Sequence, residues 1–277
     1  MSLIYITGVL SLIIQIVTGI FDYYVLGLAV PKDLTLLREL LLVEFVVQII
    51  EGSFYIWMVM NFSTIQNITP KRYFDWVITT PSMLITYSLF LLYLKERSNI
   101  QEKKKSGIDI DIEKIEQNIS TKGMKQVIRE NWRVLLPVIL LNWMMLLFGF
   151  LGEINVIPMI TANILGFIPF LAYFGMIYYH FASDFTIGKL TFGIFFGLWF
   201  LYGIASFFPY YIKNSAFNIL DLFAKNFFGI FLAGLILYKL KNHESTTDKL
   251  NQQPHLENKL FTQDSLPTAQ PIFQLKK

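Results

Sequence analysis

The stretch Phe217–Gly229, FNILDLFAKNFFG, sets a carboxylate and an amine, Asp221 and Lys225, inside an otherwise apolar run. At mid-bilayer either charge costs roughly 2.5–3.5 kcal/mol on insertion scales, so such a residue points to function and to a partner. A spacing of four stacks the two on one helix face, near enough to pair. Taken alone they read equally well as a neutralised structural ion pair, because buried charges are usually paired.

Outward from this stretch the chain is a series of apolar runs: Leu3–Val30, Leu34–Phe62, Tyr73–Leu94, Val134–Leu151, Val156–Ala182, Phe192–Ile212 and Ala216–Leu240. Each is long enough to cross a hydrocarbon core of roughly 30 Å, and none has the short apolar core and small-residue cleavage site of a removable signal peptide. The 277 residues are 54% hydrophobic and 16% aromatic, with a mean hydropathy of +0.50, too apolar for an ordinary soluble domain. The expected fold is an all-α membrane protein, a bundle of seven transmembrane helices. Cysteine is absent, which excludes disulfides, thiolate metal sites and a thiol nucleophile. No enzyme chemistry, metal site or nucleic-acid partner is expected.

Loop lysines and arginines set the orientation. The connection Lys95–Arg133 carries ten, the tail from Lys239 six, the first connection Lys32 and Arg38, and the fifth Lys189, all on one side. The opposite side has only Lys71 and Lys213 outside the spans. The amino terminus is therefore expected outside and the carboxyl terminus in the cytoplasm. Residues 1–241 read as the transmembrane domain with a cytoplasmic insertion at 96–132. In that insertion Ile112, Ile115 and Ile119 recur at helical spacing, compatible with an amphipathic helix on anionic lipid or a partner, although a solvated loop is the simpler reading. The sequence identifies no partner for it. The polar, proline-punctuated tail 242–277 reads as disordered.

The third run, KRYFDWVITTPSMLITYSLFLLYL, again buries charge, with Arg72 at its outer end and Asp75 just inside. Thr79 lies one turn from Asp75 on the same face, and Pro81 removes a backbone donor and should kink the helix. RYFDWVITTP together with LDLFAKNFFG resembles the microbial rhodopsins, over all seven helices in count and order. The resemblance implies all-trans retinal as a protonated Schiff base on Lys225, Asp75 and Asp221 as counterions, and Arg72 between them and the outer face. It also implies ring contacts from Trp76, Thr80 and Met83, from Asn142, Met145 and Gly149, and from Trp199 and Tyr202. Gly203 and Ser206 depart from the family's proline and tryptophan, so a looser pocket near the ring is expected. The chemistry of the residues agrees: a buried cation stays charged only where neighbouring negative charge outweighs desolvation.

Three functions compete: light-gated channel, outward proton pump and transducer-coupled sensor. Eleven residues after Asp75, where pumps of the bacteriorhodopsin type carry a proton-donating carboxylate, this chain has Thr86. Glu44 and Glu51, seven apart on one face with Gln48 and Tyr55 nearby, form a polar file with Ser11, Gln15, Asn218 and Asn226. Such a file favours cations, although interhelical hydrogen bonding is a structural alternative. The file, with Asp75, Asp221 and Lys225, also resembles the viral channelrhodopsins, which implies light-gated transport of small cations or protons across the lipid bilayer. No signalling domain is fused, which disfavours the sensor. An oligomer is compatible with the sequence. In this reading Glu51 lies on the ion path and outside the counterion pair.

Overall fold

Proline marks where several helices begin. Pro70 stands in the first turn of one, and Pro158 and Pro209 directly precede two others, positions where a missing N–H costs no hydrogen bond. The computed structural model describes residues 2–106 and 122–242. Its helices are α1 (Leu3–Leu26), α2 (Thr35–Met60), α3 (Thr69–Lys105), α4 (Met124–Glu153), α5 (Met159–Ile177), α6 (Thr186–Ala205) and α7 (Tyr210–Asp221). α5 ends in a π-helical turn, Tyr178–Ala182, and α7 passes through another, Leu222–Asn226, into further helix. Among the described residues seven helices are long and apolar enough to cross a membrane, the expected all-α architecture. Met1–Ile236 form one unit; a second begins at Leu237, and its described residues, 237–242, are helical. The isoleucine helix expected near residue 115 and the tail from His243 lie outside the described residues.

The helices pack in sequence order around a ring, which α1 closes against α7. The distribution of side chains is inverted relative to a water-soluble fold. Ile20, Ile168 and Leu190 are 64–65% exposed, whereas Asp22, Glu44, Glu51, Arg72, Asn218 and Asp221 are wholly buried. In lipid the apolar faces need no cover and the polar groups must find one another.

Three local details follow from backbone chemistry. Pro81 leaves the Val77 carbonyl without its helical donor, and the Trp143 indole N–H of α4 donates to it at 2.9 Å. The first amide of α4, at Met124, donates to the Glu39 carboxylate, which also favours the positive end of that helix. Asn155 takes a left-handed conformation, φ 60°, in the turn from α4 to α5.

Several boundaries differ from the expectation. The aromatic-rich segment after α6 reads as continuous span, but the helix ends at Ala205 and α7 starts at Tyr210, because Pro209 cannot continue the earlier ladder. Lys213, expected in a loop, therefore lies inside α7, buried, with Nζ 2.6 Å from Glu153 Oε1. Lys189 likewise lies within α6 rather than in the fifth connection, and α3 and α4 extend far into the region expected as insertion. At the end of the bundle where α3 leaves it, Lys95 pairs with the exposed Asp184 between the fifth and sixth spans. Hydrogen bonds from Lys95 and Ser183 hold that carboxyl below the usual carboxylate range.

Candidate functional site

Lys225 sits in the π-helical turn with a buried side chain, and three carboxylates surround its ammonium. Asp75 Oδ2 is 3.0 Å from Nζ, Glu51 Oε1 3.4 Å and Asp221 Oδ1 3.6 Å. The expected Asp75 and Asp221 are both present, but placing Glu51 outside this group needs correction: it is closer to Nζ than Asp221. Helix rotation brings it there, which its spacing from Glu44 does not reveal. Among the described residues neither oxygen of Glu51 accepts a hydrogen bond. Asp221, by contrast, is held firmly, accepting from Tyr55 at 2.6 Å and Tyr202 at 2.7 Å and lying 3.4 Å from the Arg72 guanidinium.

Arg72 is itself enclosed. It donates to the Asn214 side chain at 3.1 Å and to Asn218, and it lies 5.5 Å from the Phe54 ring centroid and 5.8 Å from those of Tyr55 and Phe217. Asn218 continues to Thr7 of α1 at 2.9 Å. Hydrogen bonds and ring faces thus replace the water that a buried guanidinium loses.

On the other side of Lys225 the cavity is almost wholly apolar. Of the residues expected around the ring, Trp76, Thr80, Met83, Met145, Gly149, Trp199 and Tyr202 line it. Asn142 stands behind the wall, donating to the Thr80 hydroxyl at 2.8 Å, and Thr79 bonds the Asp75 backbone carbonyl at 3.0 Å. The fifth span, whose contacts the sequence does not place, supplies Ala162, Asn163, Gly166, Phe167 and Phe170. Tyr73 and Phe217 were also missed; each stacks edge-on against Trp76, with centroids 5.1 and 5.2 Å away. The looser pocket expected at Gly203 is filled from the neighbouring helix α5: a Cβ at Gly203 would lie 2.5 Å from the Phe167 ring. Gly149 accommodates Tyr73 in the same way.

The polar file runs along α1, α2 and the seventh span. Gln15 donates to Ser11 at 3.3 Å, Thr18 bonds Asn226 at 3.4 Å, and Gln48 donates to Asp22 at 2.8 Å. Glu44 accepts from Thr86, so the second span places a carboxyl where the third has only a hydroxyl. Asp22 and Thr18 were overlooked in the sequence, although Ser11, Gln15, Thr18 and Asp22 recur at spacings of four, three and four along one face of α1.

The arrangement fits retinal on this structure's own terms. One buried amine meets carboxylates on one side and opens on the other to an apolar, aromatic-lined slot, while the other lysine buried among the described residues, Lys213, is paired away from it. A seven-helix membrane bundle built around such a lysine defines a retinal-binding photoreceptor. The chain belongs to the bacteriorhodopsin-like protein family, whose sequence model matches residues 3–238. Members of that family bind retinal covalently through a lysine Schiff base and are photoreceptors, pumps or channels rather than enzymes. In fold the chain is similar to the viral rhodopsin OLPVRII, with 24% identity, TM-score 0.66, and 86% of this chain and 99% of that one covered. It is also similar to the thermophilic rhodopsin of Rubrobacter xylanophilus, with 18% identity, TM-score 0.61, and coverage of 83% and 95%. Xanthorhodopsin, described as a light-driven ion pump with dual chromophore, matches at 14% identity and TM-score 0.59, with coverage of 87% and 95%. No curated protein matches the chain in sequence.

Proposed function

We propose that the protein is a light-gated cation channel, and the observation that carries this reading is the polar file of α1, α2 and the seventh span, which meets the carboxylate cage at Lys225. Retinal bound to Lys225 supplies visible absorption and a light-driven change of shape. The residues do the rest. Asp75 is the principal counterion, nearest to Nζ, and Asp221 is the second, fixed in place by Tyr55, Tyr202 and Arg72. Two cations, Arg72 and Lys225, face three carboxyls, so the cluster is neutral only with one proton held among those carboxyls. Glu51 is held by its ion pair with Lys225 at 3.4 Å and by no hydrogen bond among the described residues, so a movement of Lys225 lets it turn toward a hydrated path. A displacement of Lys225 is felt at its neighbour Asn226, and through Thr18 it reaches α1. Parting of these contacts admits water, and carboxylates along the file favour cations.

In this reading the amino terminus is outside and the carboxyl terminus in the cytoplasm, because with seven spans the connections richest in lysine and arginine fall on the side of the carboxyl terminus. Residues 1–241 are the photoreceptor domain with the cytoplasmic insertion 96–132, and 242–277 an appended tail. The contact of Glu44 with Thr86 favours a second reading, an outward proton pump, since it sets a carboxyl beside the place where a donor is needed. Photocurrent under voltage clamp separates the two. A current that reverses with the cation gradient supports the channel; one that stays outward at all moderate potentials rejects it for the pump.

A further inference from the structure

Asp22 takes no part in the cage, in the cavity or in the contact of Glu44 with Thr86, yet it is a fully buried carboxylate in a helix facing lipid. Such a placement is expensive, and a single amide meets it: Gln48 donates to Oδ2 at 2.8 Å. Asp22 Oδ1 and the Gln48 carbonyl oxygen have no hydrogen-bond partner among the described residues. The pair thus leaves acceptor oxygens of a carboxylate and an amide unused inside the protein, where an apolar pair would pack at less cost.

Gly229 completes the arrangement. A Cβ at that position would lie 2.6 Å from Asp22 Oδ2 and 2.7 Å from Gln48 Nε2, so the bare backbone of the seventh span is pressed against the pair. Gly229 is also four residues beyond Lys225, one turn on along the same helix, with the π-helical turn Leu222–Asn226 between Asp221 and this segment. One turn back toward the lysine, Asn226 bonds Thr18, which precedes Asp22 by four residues on the same face of α1. Motion of the lysine-bearing turn therefore acts on Asp22 by two routes: directly through Gly229, and along α1 through Thr18.

We infer that Asp22 and Gln48, closed against Gly229, form the inner constriction of the ion path, opened by movement of the helical turn that carries Lys225. This inference rests on the channel reading and adds to it a site for the cation. When Gly229 withdraws, the freed Asp22 and Gln48 oxygens replace part of the hydration shell of a small monovalent cation passing to the cytoplasmic side.

The test uses the full chain with retinal, comparing Asp22→Asn and Gly229→Ala with wild type by voltage clamp and, on purified protein, by light-minus-dark infrared spectroscopy. Asp22→Asn keeps the size of the side chain and removes its charge. It should leave the visible band in place, lose most of the cation current, shift its reversal potential, and abolish a light-induced carboxyl band present in wild type. Gly229→Ala should wedge the pair apart and slow current decay after the light severalfold. Wild-type selectivity and decay in both variants, with normal visible bands, would overturn the inference, as would the absence of any infrared band lost in Asp22→Asn. A non-reversing wild-type current would instead reject the channel reading itself, while an Asp22 infrared band would still support movement at the pair.

Discussion

The bundle has two walls of opposite character. Along α1, α2 and the seventh span, buried side chains are carboxyls, amides and hydroxyls, several fitted against glycine: Gly19 toward Gln48, Gly52 toward Gln15 and Gly229 toward Asp22. Along α5 and α6 the interior is aromatic, with Phe170, Phe174, Phe196 and Phe200 in mutual ring contact and Trp199 packed on Phe174 and Phe195. Interlocked rings hold their shape and exclude water, whereas polar pairs with unused acceptors can exchange partners and be hydrated. The difference assigns the tasks: one wall shapes the chromophore slot and the other can part. Lys225, Asp75 and Asp221 lie at the seam.

The largest effect that breaks this comparison is removal of the seam. Lys225→Ala should abolish visible absorption after addition of all-trans retinal, with the helical circular dichroism retained. An unchanged visible band would displace the attachment site from Lys225. Next comes the charge nearest the amine. Asp75→Asn should red-shift the visible band, because a negative charge close to the cation favours the ground state, in which positive charge is concentrated there. The shift should exceed that of Glu51→Gln, since Asp75 is 3.0 Å and Glu51 3.4 Å from Nζ. Equal shifts would mean that the two carboxyls share the counterion role.

Glu51→Ala sharpens the comparison from the polar side. It should strongly alter conductance or selectivity and shift the band measurably but less than Asp75→Asn, because Glu51 belongs to both the cage and the file. Wild-type photocurrent and reversal potential in this variant would remove Glu51 from the ion path.

How much of this was legible in the sequence follows the same division. Charges inside apolar runs cannot hide, so Asp75, Asp221, Lys225 and the seven spans were readable directly. Asp22 was equally readable, as an acid on the face of Ser11 and Gln15, but one charge near a span end draws less attention than a pair. What depends on helix rotation and on neighbours distant in the chain was not readable. Glu51 reaches Lys225 only because α2 turns that face inward, and Asn142 stops at Thr80 instead of reaching the slot. The space left by Gly203 is taken by Phe167 of another helix. The end of α6 was obscured because the residues around Pro209 are themselves aromatic and apolar, so hydropathy carries no boundary there.

The smallest expected effect concerns the joint between α3, which carries Asp75, and its neighbour α4. Pro81 deprives the Val77 carbonyl of its helical donor, and the Trp143 indole N–H takes that place at 2.9 Å. In water a freed carbonyl would simply be solvated; in the bilayer core it needs a protein donor. Trp143→Phe keeps an aromatic ring against the lipid and removes the N–H together with the smaller ring of the indole. Membrane hydrogen bonds of this kind are worth about 1 kcal/mol, so the variant should melt a few degrees below wild type. Its visible band should barely move, because Trp143 does not line the cavity. A band shift comparable with that of Asp75→Asn would mean that α3, and Asp75 with it, is held in register by this one contact with α4.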